Sequence, residues 1–346
     1  MSNILSQNYY DCPEISNSAL STFNYDIGLY YKTYISKEIT SKKSKAMDFG
    51  SFMHMLLLEP EKESEYTIID NIVEPTGKML PYIQCLAKYE LATLHITELH
   101  DAFDQAFIAS EYDTKRNSPA KLRETYLTNE EYQKYYDYLR LLNSDTKIIK
   151  REEFDKAKNL ERIISNNGQL NDLFPLPTEI DQNKIYHELE IFWEYEGIKL
   201  KSKLDKLSVD HSKKIVRYLD FKTDGVNPIH KYKDSFEYWK TYRQMAFYEM
   251  AIQYWLKEQK LENYRIEIFI GVIDLKNDKF AVMQVGIMYL DRGKEEITRD
   301  IKCLDWHIKN NKWDFTKIQY HELEHYKAIL LSPDDYTHYE ELTKTS

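Results

Sequence analysis

Two aspartates and a lysine lie in one short stretch, residues 197–225, where they could together bind a metal ion and a phosphate. Asp220 and Lys222 are two residues apart in a segment that alternates like a strand, so their side chains are expected on one face. Asp205 lies near the end of the preceding strand-like segment, within reach of Asp220 across a hairpin. Carboxylate oxygens bind hard divalent cations, and a lysine beside them can orient or activate an attacking water.

Taken alone, this pattern is a weak signal, because two half-exposed strands often carry such charges for solubility. Two other pairs have the spacing of one helical face. Gly50 and His54 are four residues apart in a helix predicted from about Ala46 to Leu58, although such a histidine can also belong to a core. Gln244 and Tyr248 are four apart in a long helix predicted after a loop that follows Gly225.

The segments around these residues predict a sheet with helices on either side of it in sequence. A polar turn at residues 209–214 separates the two strands that carry the aspartates, and KIYHELEIFWEYEG predicts a strand before them. In that earlier strand either Glu188 or Glu190 could face the site, and the sequence does not choose between them. Later strands are predicted in RIEIFIGVID and KFAVMQVGIMY, a first helix near Asn17 and a last long helix over 291–315. Residues 61–180 predict a helical insertion with no convincing chemistry, since His95 and His100 lack the spacing of a metal pair.

Bulk composition limits the class of protein. The chain has 346 residues, of which 42% are hydrophobic and 14% aromatic, enough for a real core. A net charge of -10 argues against a protein that coats nucleic acid, but it permits a local basic groove. Three separated cysteines give no disulfide framework, zinc ribbon or four-cysteine cluster, so a reducing, cytoplasmic location is the default. Neither a secretion signal nor an apolar run of about 20 residues is visible.

Taken in order along the chain, these motifs resemble those of one enzyme family. Gly50 with His54, Asp205, Asp220-Phe-Lys222 and Gln244 with Tyr248 are similar to the motifs of the RecB/RecE branch of PD-(D/E)XK nucleases. The segments EISNSALSTF, GSFMHMLLLEPE and WHIKNNKWDF resemble the RecE-type exodeoxyribonuclease (exonuclease VIII) domain of phages and prophages. The resemblance extends from about residue 14 to 315, with no motif in the helical insertion.

The resemblance implies a fold, a cofactor and residue roles. The fold would be an α/β restriction-endonuclease-like core in a single domain over 1–346, with a mixed central sheet flanked by helices. Mg²⁺ or Mn²⁺ would be bound by His54, Asp205, Asp220 and the main-chain carbonyl of Phe221. Lys222 would position or deprotonate the water. The remaining pair, Gln244 and Tyr248, would orient that lysine and contact the DNA backbone.

A local concentration of basic residues is compatible with a DNA-binding groove in this acidic chain. Lysines recur along the two aspartate-bearing strands, and part of them are expected simply to face solvent. The candidates for phosphate contact are Lys201, Lys203, Lys206 and Arg243.

A different enzyme class is suggested by residues 321–325, HELEH, which match the zinc-protease signature H-E-x-x-H. His321 and His325 would bind zinc, Glu322 would be the base, and a further ligand could come from His338, Glu340 or Glu341. The polar character of this segment and the short remaining chain argue against a protease.

The sequence therefore predicts a Mg²⁺-dependent deoxyribonuclease, with exonuclease action on double-stranded DNA ends for recombination implied by the resemblance. The resemblance also implies 5′-to-3′ polarity, a ring-shaped homo-oligomer and a RecT-like single-strand annealing partner in a bacterial or phage-infected cell. Three alternatives stay open: an endonuclease or defence nuclease of the same fold, the zinc protease, and an inactive DNA-binding protein.

Overall fold

A computed structural model of the chain describes residues 8–39, 45–70, 72–112, 117–144, 146–177, 183–327 and 329. The helices in chain order are α1 (Asn17–Tyr25), α2 (Ile27–Tyr30), α3 (Lys45–Leu58), α4 (Met79–Leu86), α5 (Ile96–Ala109), α6 (Pro119–Thr128), α7 (Glu130–Leu142), α8 (Arg151–Ser165), α9 (Gly168–Leu173), α10 (Tyr232–Tyr238), α11 (Thr241–Glu258), α12 (Ile287–Asn310) and α13 (Lys317–Tyr326). The strands are β1 (Tyr66–Ile69), β2 (Lys147–Lys150), β3 (Lys184–Tyr195), β4 (Ile198–Asp210), β5 (Ile215–Asp224), β6 (Arg265–Asp274) and β7 (Lys279–Gln284). None of these helices is long and apolar enough to cross a membrane.

The chain divides into two compact units. The first unit comprises residues 1–50 and 163–346, and the second comprises residues 51–162. The sequence predicts one domain with an insertion at 61–180, so the second unit occupies a similar stretch but begins and ends earlier.

A five-stranded mixed sheet forms the centre of the first unit, in the order β3-β4-β5-β6-β7. β5 and β6 run parallel, and the other neighbours are antiparallel. The predicted hairpin between β4 and β5 is confirmed, with its turn at residues 211–214. The parallel step from β5 to β6 needs a crossover, which α10 and α11 supply.

Helices α1, α11 and α12 share one hydrophobic core with this sheet. Val216 and Tyr218 of β5, which lie on the face predicted for the aspartate and lysine, are buried in that core. Helix α12 packs closely on α11 because Gly293 has no side chain: an added Cβ there would lie 2.6 Å from the Cβ of Ala246. The expected arrangement, a mixed central sheet flanked by helices, is therefore the observed one.

The N-terminal segment pairs with the part of β4 that lies beyond the pairing with β5. There Ile15 forms an isolated parallel bridge with Leu200, which gives this part of β4 a backbone partner on that side. Helix α1 then begins at Asn17 as predicted, because the Ser16 hydroxyl accepts a hydrogen bond from the Ala19 amide at 3.3 Å.

The second unit is mostly helical, with a core of its own built by α4, α5, α6 and α7. It also contains a short parallel sheet in which Tyr66 of β1 pairs with Lys147 of β2. The sequence does not predict this sheet, since each strand is four residues long and its partner is about eighty residues away.

Two helix boundaries differ from those predicted. The segment after Gly225, predicted as a loop and one long helix, forms the two helices α10 and α11, because Lys240 adopts a left-handed conformation (φ 49°) between them. Helix α12 begins at Ile287 and ends before Asn311, which is also left-handed (φ 49°), so the basic and aromatic residues that follow lie outside the helix.

Candidate active site

The two strands that carry the predicted aspartates separate from each other at the aspartates themselves. The pairing of β4 with β5 ends at Lys206 and Leu219, and Asp205 is the next residue along β4. Beyond that point the Asp205 side chain replaces a backbone carbonyl as the partner of β5: its Oδ2 accepts a hydrogen bond from the Phe221 amide at 2.8 Å. A buried strand amide that would otherwise lack its ladder partner is thereby satisfied, and the Asp205 carboxylate is fixed beside Asp220.

Asp220 is almost completely buried, with 1% of its surface exposed. Its Oδ1 accepts a hydrogen bond from the Tyr218 hydroxyl at 2.9 Å. Its Oδ2 lies 2.8 Å from Nζ of Lys222, so the buried carboxylate is held between a hydroxyl and an ammonium. Carboxylate oxygens are the ligands that hard divalent cations take.

Lys222 lies at the open side of the pair, with 28% of its side chain exposed. Burial by itself lowers the pKa of Lys222, but the carboxylates of Asp220 and Asp205 outweigh it and raise the pKa above its ordinary value. The lysine is therefore protonated at neutral pH as long as both carboxylates are charged. An ammonium in this position can donate hydrogen bonds to a water or a phosphate oxygen.

The structure decides between the two glutamates of β3 that the sequence leaves open. Glu188 and Asp205 both lie at an interruption of the β3–β4 register, between the His187–Lys206 and Leu189–Leu204 pairs, and an oxygen of each carboxylate lies within 4.8 Å of the other. Glu190, in contrast, is exposed. Glu188 therefore belongs to the candidate site.

Backbone conformation explains why alternation could not assign Glu188. Its φ of 51° is in the left-handed region, which a non-glycine residue adopts at a cost of about 1 kcal/mol or more. Tyr186 and Leu189 would point to opposite faces of a regular strand, yet both pack against the same core. Because the left-handed Glu188 lies between them, the alternation of side chains between the two faces of β3 is shifted by one residue.

The acidic residues of the first unit fit a divalent metal ion. Glu188 and Asp205 offer carboxylate oxygens within 4.8 Å of each other, and Asp220 offers a further buried carboxylate beside Lys222. Carboxylate oxygens are the ligands that Mg²⁺ and Mn²⁺ prefer. His54 lies on α3 within the second unit, so its role as a ligand stays a prediction. The predicted use of the Phe221 carbonyl also stays a prediction.

Gln244 and Tyr248 interact with each other on α11, as their spacing predicts. Nε2 of Gln244 donates to the Tyr248 hydroxyl at 3.0 Å, and the Tyr248 ring packs edge-on against Tyr218 with centroids 5.5 Å apart. Burial raises the pKa of Tyr248, and the charge of Asp220 raises it further. These contacts hold the tyrosine next to the acidic group, while the expected contacts with Lys222 and DNA stay predictions.

Two of the four predicted DNA-binding residues have structural partners instead. Lys201 is buried, and its Nζ donates to the main-chain carbonyls of Tyr9 at 2.8 Å and Cys12 at 2.7 Å. The Arg243 guanidinium is paired with Asp300 inside the core, with 4% of its side chain exposed. Strand and helix periodicity could not show that these cations point toward protein groups.

Of the other two predicted DNA-binding residues, Lys203 contacts Glu188 of the candidate site and Lys206 packs on an aromatic ring. Nζ of Lys203 lies 2.6 Å from Oε2 of Glu188. Lys206 is half-buried with its Nζ 5.6 Å from the centre of the Phe174 ring, and this burial lowers its pKa. Lys203 and Lys206 therefore stay candidates for phosphate contact.

The HELEH segment lies within α13, the last helix of the described residues. The rings of His321 and His325 are 3.9 Å apart, as expected for residues on one helical face. Nδ1 of His325 is 2.9 Å from the main-chain oxygen of His321, and no group of three potential metal ligands in the described ranges includes either histidine. The other proposed ligands, His338, Glu340 and Glu341, lie outside the described residues.

Comparison with known proteins gives only distant structural likeness. No protein-family model matches the chain, and no curated protein matches it. A candidate exonuclease from Eubacterium rectale, known from a crystal structure, is 12% identical over 97% of this chain and 98% of its own, with a TM-score of 0.47. The crystal structure of SSO0001 is also 12% identical, over 72% of this chain and 84% of its own, with a TM-score of 0.22.

Proposed function

We propose that this chain is a metal-dependent deoxyribonuclease that hydrolyses DNA phosphodiester bonds, with a core of the PD-(D/E)XK type. One observation carries the proposal: Asp205, Asp220 and Lys222 meet where β4 separates from β5, with the buried Asp220 carboxylate 2.8 Å from the Lys222 ammonium. Glu188 adds a third carboxylate next to Asp205. This donor set suits Mg²⁺ or Mn²⁺ held by Glu188, Asp205 and Asp220, together with the predicted His54.

Each residue of the group has a distinct task in the proposed hydrolysis. A bound divalent cation would withdraw charge from the phosphate under attack. Tyr218 and the Phe221 amide hold the Asp220 and Asp205 carboxylates in place through hydrogen bonds. Of the two predicted roles of Lys222, positioning the attacking water agrees better with its raised pKa than deprotonating it, and the ammonium donates hydrogen bonds that orient this water or a phosphate oxygen. The water oxygen bonds to phosphorus as one ester bond breaks, giving a phosphate monoester and a hydroxyl.

Within this class we favour a RecE-like 5′-to-3′ exonuclease that resects double-stranded DNA ends for recombination. The support is the resemblance of the motifs around residues 14–315, which also suggests a homo-oligomer and a RecT-like annealing partner. An endonuclease or defence nuclease of the same fold would use the same residues. An inactive DNA-binding protein is disfavoured because Asp205, Asp220 and Lys222 are all present and adjacent.

The test compares linear and covalently closed circular double-stranded DNA, each incubated with the protein in Mg²⁺, in Zn²⁺ and in EDTA. We expect loss of the linear DNA alone, in Mg²⁺ and not in EDTA. Cleavage of the circle would indicate an endonuclease. If neither DNA is attacked and casein is hydrolysed in Zn²⁺, the proposal is wrong and HELEH is the active site.

A further inference from the structure

We propose that the segment from Lys231 to Lys240, which contains α10, is a DNA-binding shelf on which Tyr238 and Trp239 stack against the bases of the strand held at the active site. This inference rests on the proposed function and adds the part of the site that would hold DNA beyond the scissile phosphate. We call these ten residues the α10 shelf.

The aromatic pair of the α10 shelf is unusually exposed. Tyr238 is 76% and Trp239 73% accessible, and their rings form an edge-to-face pair with centroids 4.7 Å apart. Contact of large aromatic side chains with water is unfavourable, and an exposed pair of this kind is typical of a binding surface. A pair of rings is suited to nucleobases, because every base presents a flat face on which an aromatic ring can stack.

Basic residues surround the pair. Lys231, Lys233 and Lys240 are exposed and form no ion pair with any residue that the structure describes. Of the two acidic residues in the shelf, Glu237 is paired with Arg292 at 3.6 Å, which leaves Asp234 opposed to three lysines. This excess of positive charge in an acidic chain favours a polyanion over an apolar protein surface as the partner.

The shelf is joined directly to the catalytic strand. The Ser235 hydroxyl donates to Oδ2 of Asp224 at 2.6 Å, and Asp224 lies two residues beyond Lys222 on β5. Two strand residues span about 6.6 Å, and the four helical residues from Ser235 to Trp239 span about 6 Å. With the two side chains of that contact included, these lengths set an upper limit on the order of 20 Å on the separation of Lys222 and Trp239, at most about six base steps of DNA at about 3.4 Å each.

The shelf is also held rigidly, as a stacking surface must be. Phe236 packs edge-on against Tyr289 of α12 with centroids 5.0 Å apart, and Glu237 accepts a hydrogen bond from the Tyr289 hydroxyl. Lys240 ends the shelf with a left-handed φ of 49°, which turns the chain sharply into α11. A strained non-glycine residue next to an exposed aromatic pair is the kind of local cost that functional surfaces retain.

The experiment measures binding rather than cleavage, so that it is independent of the chemical step. Fluorescence anisotropy with a labelled duplex carrying a short single-stranded end is recorded in EDTA for the full-length protein, Trp239→Ala and Tyr238→Ala. The matched control is Tyr25→Ala, which removes an 84% exposed tyrosine at the end of α1. A base-by-base series of abasic substitutions in the DNA end then locates any stacked base.

We expect Trp239→Ala to weaken binding about 5- to 150-fold, the range for loss of one base–aromatic stack, and Tyr25→Ala to change it little. One or two abasic positions, a few nucleotides from the cleavage point, should weaken binding to the parent protein but not to Trp239→Ala. Thermal unfolding should be unchanged in all three variants, since the removed rings are exposed.

Two results together would contradict DNA binding by the α10 shelf: equal affinities for Trp239→Ala and Tyr25→Ala, and no abasic position at which binding to the parent protein weakens. If the parent protein still digests linear DNA in Mg²⁺, that result leaves the proposed nuclease intact. A shift in oligomeric state on Trp239→Ala, measured by light scattering at unchanged affinity per protomer, would assign the rings to a contact between copies and would also overturn the shelf. If the parent protein neither binds nor digests DNA, both proposals fail.

Discussion

Two ion pairs of the first unit differ in how far they are open to solvent. In the Arg243–Asp300 pair both side chains are nearly inaccessible, and Glu296 and Asn24 add further polar contacts. In the Lys222–Asp220 pair the aspartate is buried, but 28% of the lysine side chain is exposed and the charge of Asp205 also acts on it. A closed pair stabilises the contact of α11 with α12, whereas a pair with an accessible ammonium beside a second carboxylate can bind a ligand.

The largest expected effect comes from Asp205, which has both a structural and a chemical task. Asp205→Asn keeps an oxygen that can accept the Phe221 amide but loses the charge, so DNA hydrolysis should fall about 10²- to 10³-fold with little change in stability. Asp205→Ala should lose as much activity and also about 1–3 kcal/mol of unfolding free energy, because the amide is left unsatisfied. Nuclease rates and urea unfolding of the two variants measure this, and equal stability of both would contradict the assigned hydrogen bond.

The Arg243–Asp300 pair should give the opposite result, a loss of stability without a loss of activity. Arg243→Met leaves Asp300 buried without its main partner and should cost about 3–5 kcal/mol of unfolding free energy. Activity per folded molecule should stay near that of the parent, because the guanidinium does not reach the candidate site. The check is urea unfolding together with rates normalised to the folded fraction. A variant of normal stability that has lost DNA binding would restore Arg243 to the DNA surface.

Asp274 is a third buried carboxylate, and it accepts hydrogen bonds from several donors. Burial alone would raise its pKa, but hydrogen bonds from Asn277, Lys276 and Ile229 outweigh it and hold the pKa below the ordinary value. Its contribution to stability is therefore present above about pH 3.9, the unfolded pKa, and is lost as the pH falls through the folded pKa.

Asp274→Asn should accordingly cost about 1–3 kcal/mol of unfolding free energy at pH 7. The difference from the parent should shrink as the pH is lowered below about 4. Urea unfolding at pH 7, 5 and 3 measures it. A difference that does not change with pH would mean that the Asp274 carboxylate is not held in its charged form by these donors.

The smallest effect tests the strained glutamate of the candidate site. Glu188→Gly removes a left-handed non-glycine residue and should stabilise the protein by up to about 1 kcal/mol, reduced by loss of the Lys203 ion pair. The matched control Glu190→Gly, at an exposed position of the same strand, should destabilise it by about 0.5–1 kcal/mol.

The same change should impair metal binding. We expect Glu188→Gly to raise the Mg²⁺ concentration for half-maximal DNA hydrolysis about 10-fold or more, with no such rise for Glu190→Gly. Equal stability and equal Mg²⁺ dependence of the two glycine variants would remove Glu188 from the site.

The sequence predicts the positions of the site where local rules are sufficient. The β4–β5 hairpin follows from alternation around a polar turn, and α1 begins where Ser16 can cap it. Alternation fails at Glu188, because a single left-handed residue exchanges the two faces of the strand. The inward orientation of Arg243 depends on Asp300 of α12, and contacts between distant segments are not encoded in spacing.

The most direct test of the central claim is the rate of hydrolysis of an end-labelled linear duplex over a range of Mg²⁺ concentrations, by the parent protein and by Asp220→Asn at equal folded fraction. We predict Mg²⁺-dependent hydrolysis by the parent that stops in EDTA, and a rate about 10²- to 10³-fold lower for the variant at every Mg²⁺ concentration. Digestion by Asp220→Asn at the rate of the parent would contradict the assignment of this aspartate and lysine as the active site.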